Sequence, residues 1–215
     1  MLANMTRVAA GLSLFAFLTM CSNPSVSRAS AEEVRHDRAE AADGGGGRQS
    51  TRPDAPQLAP YVPTPQDVVD RMLVLAGVTK TDFVVDLGCG DGRIPVTAAK
   101  KYGARGLGVD IDPVRIAEAN ANAKAAGVTH LVEFTLQDAL KTDVSNATVV
   151  TTFLLSASNL RLRPILTKQM KPGSRIVAHN FSFGDWAPEK TDSFKDADGR
   201  TRTLYLYRND GKVRQ

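Results

Sequence analysis

The sequence predicts a single α/β domain built on a doubly wound, mostly parallel sheet. Two observations carry this. From Tyr61 onward, short apolar runs bounded by turn residues alternate with amphipathic stretches at helical spacing, the pattern of parallel strands joined by crossover helices. The last two runs flank Asp196-Ala197-Asp198-Gly199, which reads as the turn of a closing antiparallel hairpin. Composition agrees. Hydrophobic residues at 42% and charged residues at 23% suit a globular chain and exclude a collagen, a coiled coil or a wholly disordered protein.

The elements follow in order. Thr64-Pro65-Gln66-Asp67 reads as a helix start, with Thr64 as N-cap, Pro65 in the first helical position and Asp67 completing a capping-box-like pattern. Val68, Val69, Met72, Leu73 and Leu75 continue the helix until Gly77 stops it. Residues 83–87 form a buried strand, and a glycine turn leads into a helix over about 93–102. Residues 106–109, 131–135, 148–155 and 175–179 read as further parallel strands. Helices are expected over 113–126, with Asp112 as a candidate N-cap, and over 160–170, ending before Pro172-Gly173. Residues 190–194 and 201–208 make the hairpin. With right-handed crossovers, seven strands of this kind give a Rossmann-like sheet.

The first sixty residues are different. Arg7 precedes Val8 to Cys21, which is apolar apart from Ser13 and Thr19, the length of a signal h-region. Ala29-Ser30-Ala31 supplies a small-x-small cleavage pattern, and Leu18-Thr19-Met20-Cys21 looks like an acylation site with Met20 where a small residue is usual. Residues 1–31 are therefore expected to be a signal peptide or membrane-anchor-like segment, so the protein is expected to be exported or tethered. A cytoplasmic location is the alternative if the start is mis-called. Residues 32–60 are charged, then glycine-rich, then proline-rich, and read as a disordered linker. The folded domain is expected over 61–215, as a monomer. Its net charge of +4 shows no clustered basic face, so no nucleic-acid partner is expected. Two cysteines cannot build a disulfide framework, and no metal-ligand spacing is evident.

The chemistry lies at the strand ends. Asp86-Leu87-Gly88-Cys89-Gly90-Asp91-Gly92 joins the first strand to its helix, and glycines there let the backbone approach a ligand. A nicotinamide-binding turn also carries glycines. Here the spacing is G-x-G-x-G with Arg93 next, and Asp86 just ahead of the turn would repel a pyrophosphate. The same acid would hold a ligand bearing an amine and a sulfonium. Asp110, ending the second strand, is placed to accept both hydroxyls of a ribose. Asp138, after the third strand, is placed to accept from an adenine amino group, with Ala139 leaving room for the ring. Together they outline an adenosyl ligand along the carboxyl edge of the sheet.

These residues resemble the cofactor motifs of class I S-adenosylmethionine-dependent methyltransferases over about residues 61–208. A narrower likeness joins Tyr61-Val62-Pro63-Thr64-Pro65, Asp86 to Ile94, residues 150–155 and Lys171 to Val177. These resemble the mitochondrial ATP synthase c-subunit lysine methyltransferase family and its prokaryotic relatives, and more distantly the Dot1-like histone lysine enzymes. The resemblance implies that S-adenosyl-L-methionine is held by Tyr61, Thr64, Asp86, Gly88, Gly90, Asp91, Gly92, Asp110, Ile111, Asp138 and Ala139. It implies that Thr151, Thr152 and Phe153 sit where an acceptor lysine of a protein substrate meets the methyl donor. The chain reads Thr-Thr-Phe where the histone enzymes have Asn-Asn-Phe.

For a lysine acceptor, Phe153, Leu154 and Phe181 are candidates for an apolar slot that favours the neutral amine. A dedicated base is neither required nor evident. Cys89 reads as a small buried residue, His179 as structural, His130 as a surface residue and Trp186 as packing over the sheet edge. Asp91 reads as a cap for the helix at Arg93. The competing functions are a small-molecule methyltransferase, a catalytically inactive module that keeps the cofactor fold, and a nicotinamide-dependent oxidoreductase.

Overall fold

The computed structural model describes residues 57–215. The signal-like segment and all but the end of the expected linker lie outside the described residues. The strands are β1 (Phe83–Leu87), β2 (Arg105–Asp110), β3 (Val132–Leu136), β4 (Val149–Thr152), β5 (Arg175–His179), β6 (Lys190–Lys195) and β7 (Thr201–Arg208). Helices α1 (Gln66–Ala76), α2 (Arg93–Tyr102), α3 (Pro113–Ala125) and α4 (Ser156–Gln169) accompany them, with a 3-10 turn at Ala139–Lys141. One seven-stranded sheet results, in the order β3-β2-β1-β4-β5-β7-β6. β1 to β5 are parallel, and β7 pairs antiparallel with both β5 and β6. The expected doubly wound sheet with its C-terminal hairpin is the observed one.

Alternate strand residues go to opposite faces. Val84, Val149 and Val177 pack with Val68, Met72 and Leu73 of α1 and with Ile94 and Ala98 of α2. Val85, Leu87, Val150 and Ile176 pack with Leu162 and Leu166 of α4 on the other face. Both faces are covered, which is why the strands read as continuous apolar runs. α3 closes on α2 and β3 through Ala119, Ala123 and Phe134. β1 lies between β2 and β4, so successive crossovers depart to opposite faces there and leave a crevice at the carboxyl ends.

Several boundaries differ from expectation, each for a local reason. Pro65, not Thr64, caps α1, with extended backbone (φ −54°, ψ 148°) and no side-chain cap bond. Thr64 is turned inward and buried. Asp67 accepts the Ala197 N–H at 2.7 Å, tying α1 to the hairpin turn instead of closing a capping box. β4 ends at Thr152 rather than at residue 155. α4 starts at Ser156 rather than residue 160 and carries Pro164 inside it. The run Ser156 to Asn159 reads as loop because its side chains suit turns. In the fold they are spent elsewhere: Ser158 Oγ donates to the Leu58 carbonyl and Asn159 Nδ2 to that of Phe181. Asp112 does cap α3, accepting the Val114 N–H. The domain also begins earlier than Tyr61, since Leu58 and Ala59 pack on the core formed with α4.

The amino ends of the strands are fixed by a polar cluster. Asp82 is buried and accepts from the Thr79 N–H (2.7 Å) and the Thr148 hydroxyl (2.7 Å), and it pairs with the Arg175 guanidinium. Burial pushes its pKa up, but Thr148, Thr79 and Arg175 outweigh that and hold the carboxyl below its ordinary range. Arg175 also donates to the Ala76 carbonyl at the end of α1. Removing one partner of such a pair strands the other, so Asp82→Ala is expected to cost about 3 kcal/mol of unfolding free energy. Urea denaturation measures it, and a loss well under about 1 kcal/mol, the scale of an exposed pair, would contradict this account.

Candidate active site

A cavity opens at the carboxyl ends of β1 to β4, covered on one side by residues 58–64. Its wall brings together Tyr61, Thr64, Asp86, Gly88, Gly90, Asp91, Asp110, Ile111, Asp138, Ala139 and Phe153, all singled out from the sequence. Gly92, Thr151 and Thr152 are not on that wall. Gly92 has φ +75°, and a Cβ there would lie 2.6 Å from the Phe134 ring and 2.7 Å from Ala119. Its bareness serves the approach of α2 to α3 and β3. Thr151 and Thr152 are fully buried in β4.

Three carboxylates define the site. Asp86 is 3% exposed, and its one hydrogen bond among the described residues is from the Thr151 hydroxyl at 2.7 Å, its register partner on β4. Burial, and then the neighbouring charges of Asp110 and Asp91, push its pKa up to about 7 against the pull of Thr151. A buried carboxylate so placed is completed by a cation. Asp110 accepts the Gly90 N–H on one oxygen and the Asp112 N–H on the other, both at 2.9 Å. Each oxygen has a second lone pair, which is what a vicinal diol requires. Asp138 is buried and accepts the Leu140 N–H, which fixes its carboxylate, while Ala139 beside it offers only a methyl group. An amine and sulfonium at Asp86, a ribose at Asp110 and an adenine at Asp138 fit S-adenosylmethionine. When bound, that group supplies a methyl carbon already activated by a sulfonium leaving group.

The cover over the cavity was not legible in the sequence. Arg93 donates to the Thr64 carbonyl at 2.7 Å while its guanidinium pairs with Asp91. Asp91 also accepts the Arg93 N–H, as expected of a cap. The Arg115 guanidinium lies 4.3 Å over the Tyr61 ring, a cation–π contact. The other side of Tyr61 meets Gly90, where a Cβ would stand 2.4 Å from the ring. Ser158 holds Leu58. Arg93, Arg115 and Ser158 act across long sequence separations, and their only signal was an arginine where a dinucleotide turn prefers a small residue.

Cys89 lines the cavity but is buried, and desolvation with the charges of Asp86 and Asp110 pushes its pKa far up, so it remains a thiol. His130 is exposed. Trp186 packs on Phe183 and Tyr207 at the sheet edge, away from the cavity wall. Among the described residues no group of His, Cys, Asp and Glu is arranged to hold a metal ion.

Asp86 couples stability to pH. Its folded pKa is raised, so the folded state binds the proton more tightly and unliganded stability falls as pH rises from about 4 to about 7. A cation at the site prefers the ionised form, so cofactor affinity should rise over the same interval. Asp86→Asn is expected to raise the melting temperature of the unliganded protein at pH 8 and to weaken S-adenosylhomocysteine binding. Melting curves and calorimetry at pH 5.5 and 8 check both, and unaltered binding would refute the assignment.

The arrangement can be set beside known proteins. Residues 86–190 match the family model described as the ANTKMT methyltransferase domain. The chain is 46% identical over 149 residues to a protein-lysine N-methyltransferase of Saccharolobus islandicus, covering 69% of this chain and 92% of that one. It is 31% identical to the ATP synthase c-subunit lysine N-methyltransferase of Xenopus laevis over 60% of this chain and 57% of that longer protein. A crystal structure described as an RNA methyltransferase from Salinibacter ruber in complex with S-adenosyl-L-homocysteine is 49% identical, with a TM-score of 0.67, over 72% of this chain and 97% of that one. Likeness of this degree, running through the cofactor turn and along nearly the whole of the shorter relatives, is that of common membership: the chain belongs to the ANTKMT methyltransferase family and is an S-adenosylmethionine-dependent methyltransferase.

Proposed function

We propose that the enzyme methylates the side-chain amine of lysine in a protein. The observation that carries this is the 46% identity, over nearly the full length of the relative, to a protein named as a protein-lysine N-methyltransferase. The geometry agrees with that chemistry. An ammonium has no lone pair to attack a methyl carbon, and with a pKa near 10.4 only about one lysine in a thousand is neutral near pH 7.4. Phe153 and Leu154 form the cavity wall after β4, and Phe181 stands 6.3 Å from Phe153, ring centre to ring centre. An apolar lip of this kind disfavours the charged amine and lowers its pKa. Residues 58–64 exclude water from the donor side, and Asp86, Asp110 and Asp138 fix the donor so that a nucleophile entering past Phe153 meets it in one orientation. The apolar N-terminal run supports a membrane tether or export as part of the same proposal.

An RNA acceptor is the second reading, supported by the name given to the Salinibacter ruber structure. Against it, the arginines at the cavity, Arg93 and Arg115, are engaged by Asp91 and by Tyr61 with Glu118. The deciding experiment is incubation of the full chain with radiolabelled methyl donor and host lysate, split between RNase and protease treatment, followed by peptide mapping. Label that survives RNase and maps to lysine is expected, and label released by RNase would overturn the proposal. Asp110→Ala, which removes the diol acceptor, is expected to weaken the cofactor by about 3 kcal/mol, roughly a hundredfold, and to abolish labelling at ordinary cofactor concentrations.

A further inference from the structure

The carboxyl ends of β4 and β5 hold buried polar atoms that the fold does not satisfy. The Thr152 hydroxyl, the Asn159 side-chain oxygen and both ring nitrogens of His179 lack hydrogen-bond partners, and all three residues are 0% exposed. An unpaired buried polar atom costs about 1–3 kcal/mol, so several in one neighbourhood need a reason. The amide orientation of Asn159 is fixed, because Nδ2 donates to the Phe181 carbonyl at 2.8 Å and leaves Oδ1 over. The His179 ring lies 4.0 Å from that of Phe153, which lines the donor cavity. Phe153 and Phe181 are only half-buried and form the lip in front of these atoms.

The backbone is bent to produce this arrangement. Asn180, directly after β5, has φ +61°, a left-handed conformation rare outside glycine. It is held there by exchange with Thr203: the Asn180 N–H donates to the Thr203 carbonyl, and the Asn180 Oδ1 accepts the Thr203 N–H. The Phe181 N–H then donates back to the His179 carbonyl at 2.8 Å. The turn sets His179 and Phe181 together beside Phe153, and strain of this kind collects at functional sites.

We propose that His179 and Asn159, with the Thr152 hydroxyl, form the polar end of the acceptor slot behind Phe153 and Phe181, and that the slot receives an amino group on an alkyl chain. This deepens the lysine reading by naming the atoms that determine specificity for the amine. Asn159 Oδ1 only accepts hydrogen bonds, and the hydroxyl and one imidazole nitrogen also accept, so the set matches N–H donors. A carboxylate or phosphate would find too few donors here. Burial, and then Arg202, push the His179 pKa down to about 4 against the opposing charge of Asp196. The ring is therefore neutral near pH 7 and takes an N–H without repelling the incoming group. It orients the amine and does not carry off its proton.

The test uses the full chain with nitrogen-15-labelled histidine, saturated with S-adenosylhomocysteine and titrated with n-butylamine or n-butanol. The protein has 3 histidines, and His179→Phe identifies the relevant signals. Saturable movement of the His179 nitrogens with the amine and little with the alcohol is expected. No movement, or equal movement with both, would overturn the proposal, and neither depends on turnover or on the natural acceptor. In parallel, His179→Phe and Asn159→Leu should each lower kcat/KM for the lysine-bearing acceptor about tenfold or more, with S-adenosylhomocysteine affinity and folding retained. A His179→Phe protein that melts higher and methylates as well as the parent would show that the imidazole only fills space. Label found on RNA in the lysate experiment would defeat the lysine reading alone, since the amine titration stands apart from it.

Discussion

The site is organised around one buried carboxylate. Asp86 ends a strand whose neighbours on both sides are parallel, so its side chain is enclosed by the sheet and by the glycine turn that follows. It receives the hydroxyl of Thr151 and the repulsion of Asp110 and Asp91, and neither neutralises it. Ionised Asp86 is costly in the empty fold and favourable once a cation sits beside it, because a desolvated charge interacts strongly with its partner and weakly with water. Donor binding is thus built on a local defect of the apo structure, the kind of conflict expected where sequence serves function over stability.

The rest of the donor side completes that arrangement from different parts of the chain. Asp110 connects the glycine turn to the start of α3 by accepting an N–H from each, so the ribose acceptor also keeps the turn in shape. Residues 58–64 lie over the turn because Arg93, Arg115 and Ser158 each hold one point of the segment. Gly90 is bare where Tyr61 rests. The cover, the turn and the first helix are one unit, and the segment ahead of α1 belongs to the site and not to the linker.

What the sequence revealed and what it hid divide along physical lines. Periodicity and glycine spacing are local signals, and they located β1, α2 and the hairpin along with the acids at the strand ends. Contacts between distant segments leave no such mark. Nothing in Ser156 to Asn159 says that these polar residues bond to Leu58 and Phe181 and so allow a helix to begin there. Thr64 has the chemistry of an N-cap, yet proline's fixed φ makes Pro65 the boundary and frees Thr64 to face inward. Gly92 looked like a ligand glycine because it shares a motif with Gly88 and Gly90, but its neighbours are Phe134 and Ala119. His179 read as structural because an isolated histidine at a strand end usually is. Its lack of partners is a property of the fold, invisible in one dimension.

The two ends of the site are opposite in charge, and the reaction explains why. Carboxylates gather at the ends of β1, β2 and β3, where a positive sulfonium must be held. At the ends of β4 and β5 the polar groups are a hydroxyl, an amide and an uncharged imidazole, set among aromatic rings. A carboxylate on that side would bind an ammonium more tightly, but it would also stabilise the protonated form and withhold the lone pair that attacks. Neutral acceptors direct the amine without that penalty, so affinity is exchanged for reactivity. The sheet register brings the halves together, since Thr151 opposite Asp86 gives its hydroxyl to the donor side while Thr152, the next residue, turns to the other face. Adjacent residues of one short strand thereby serve the anionic and the neutral halves of a single site.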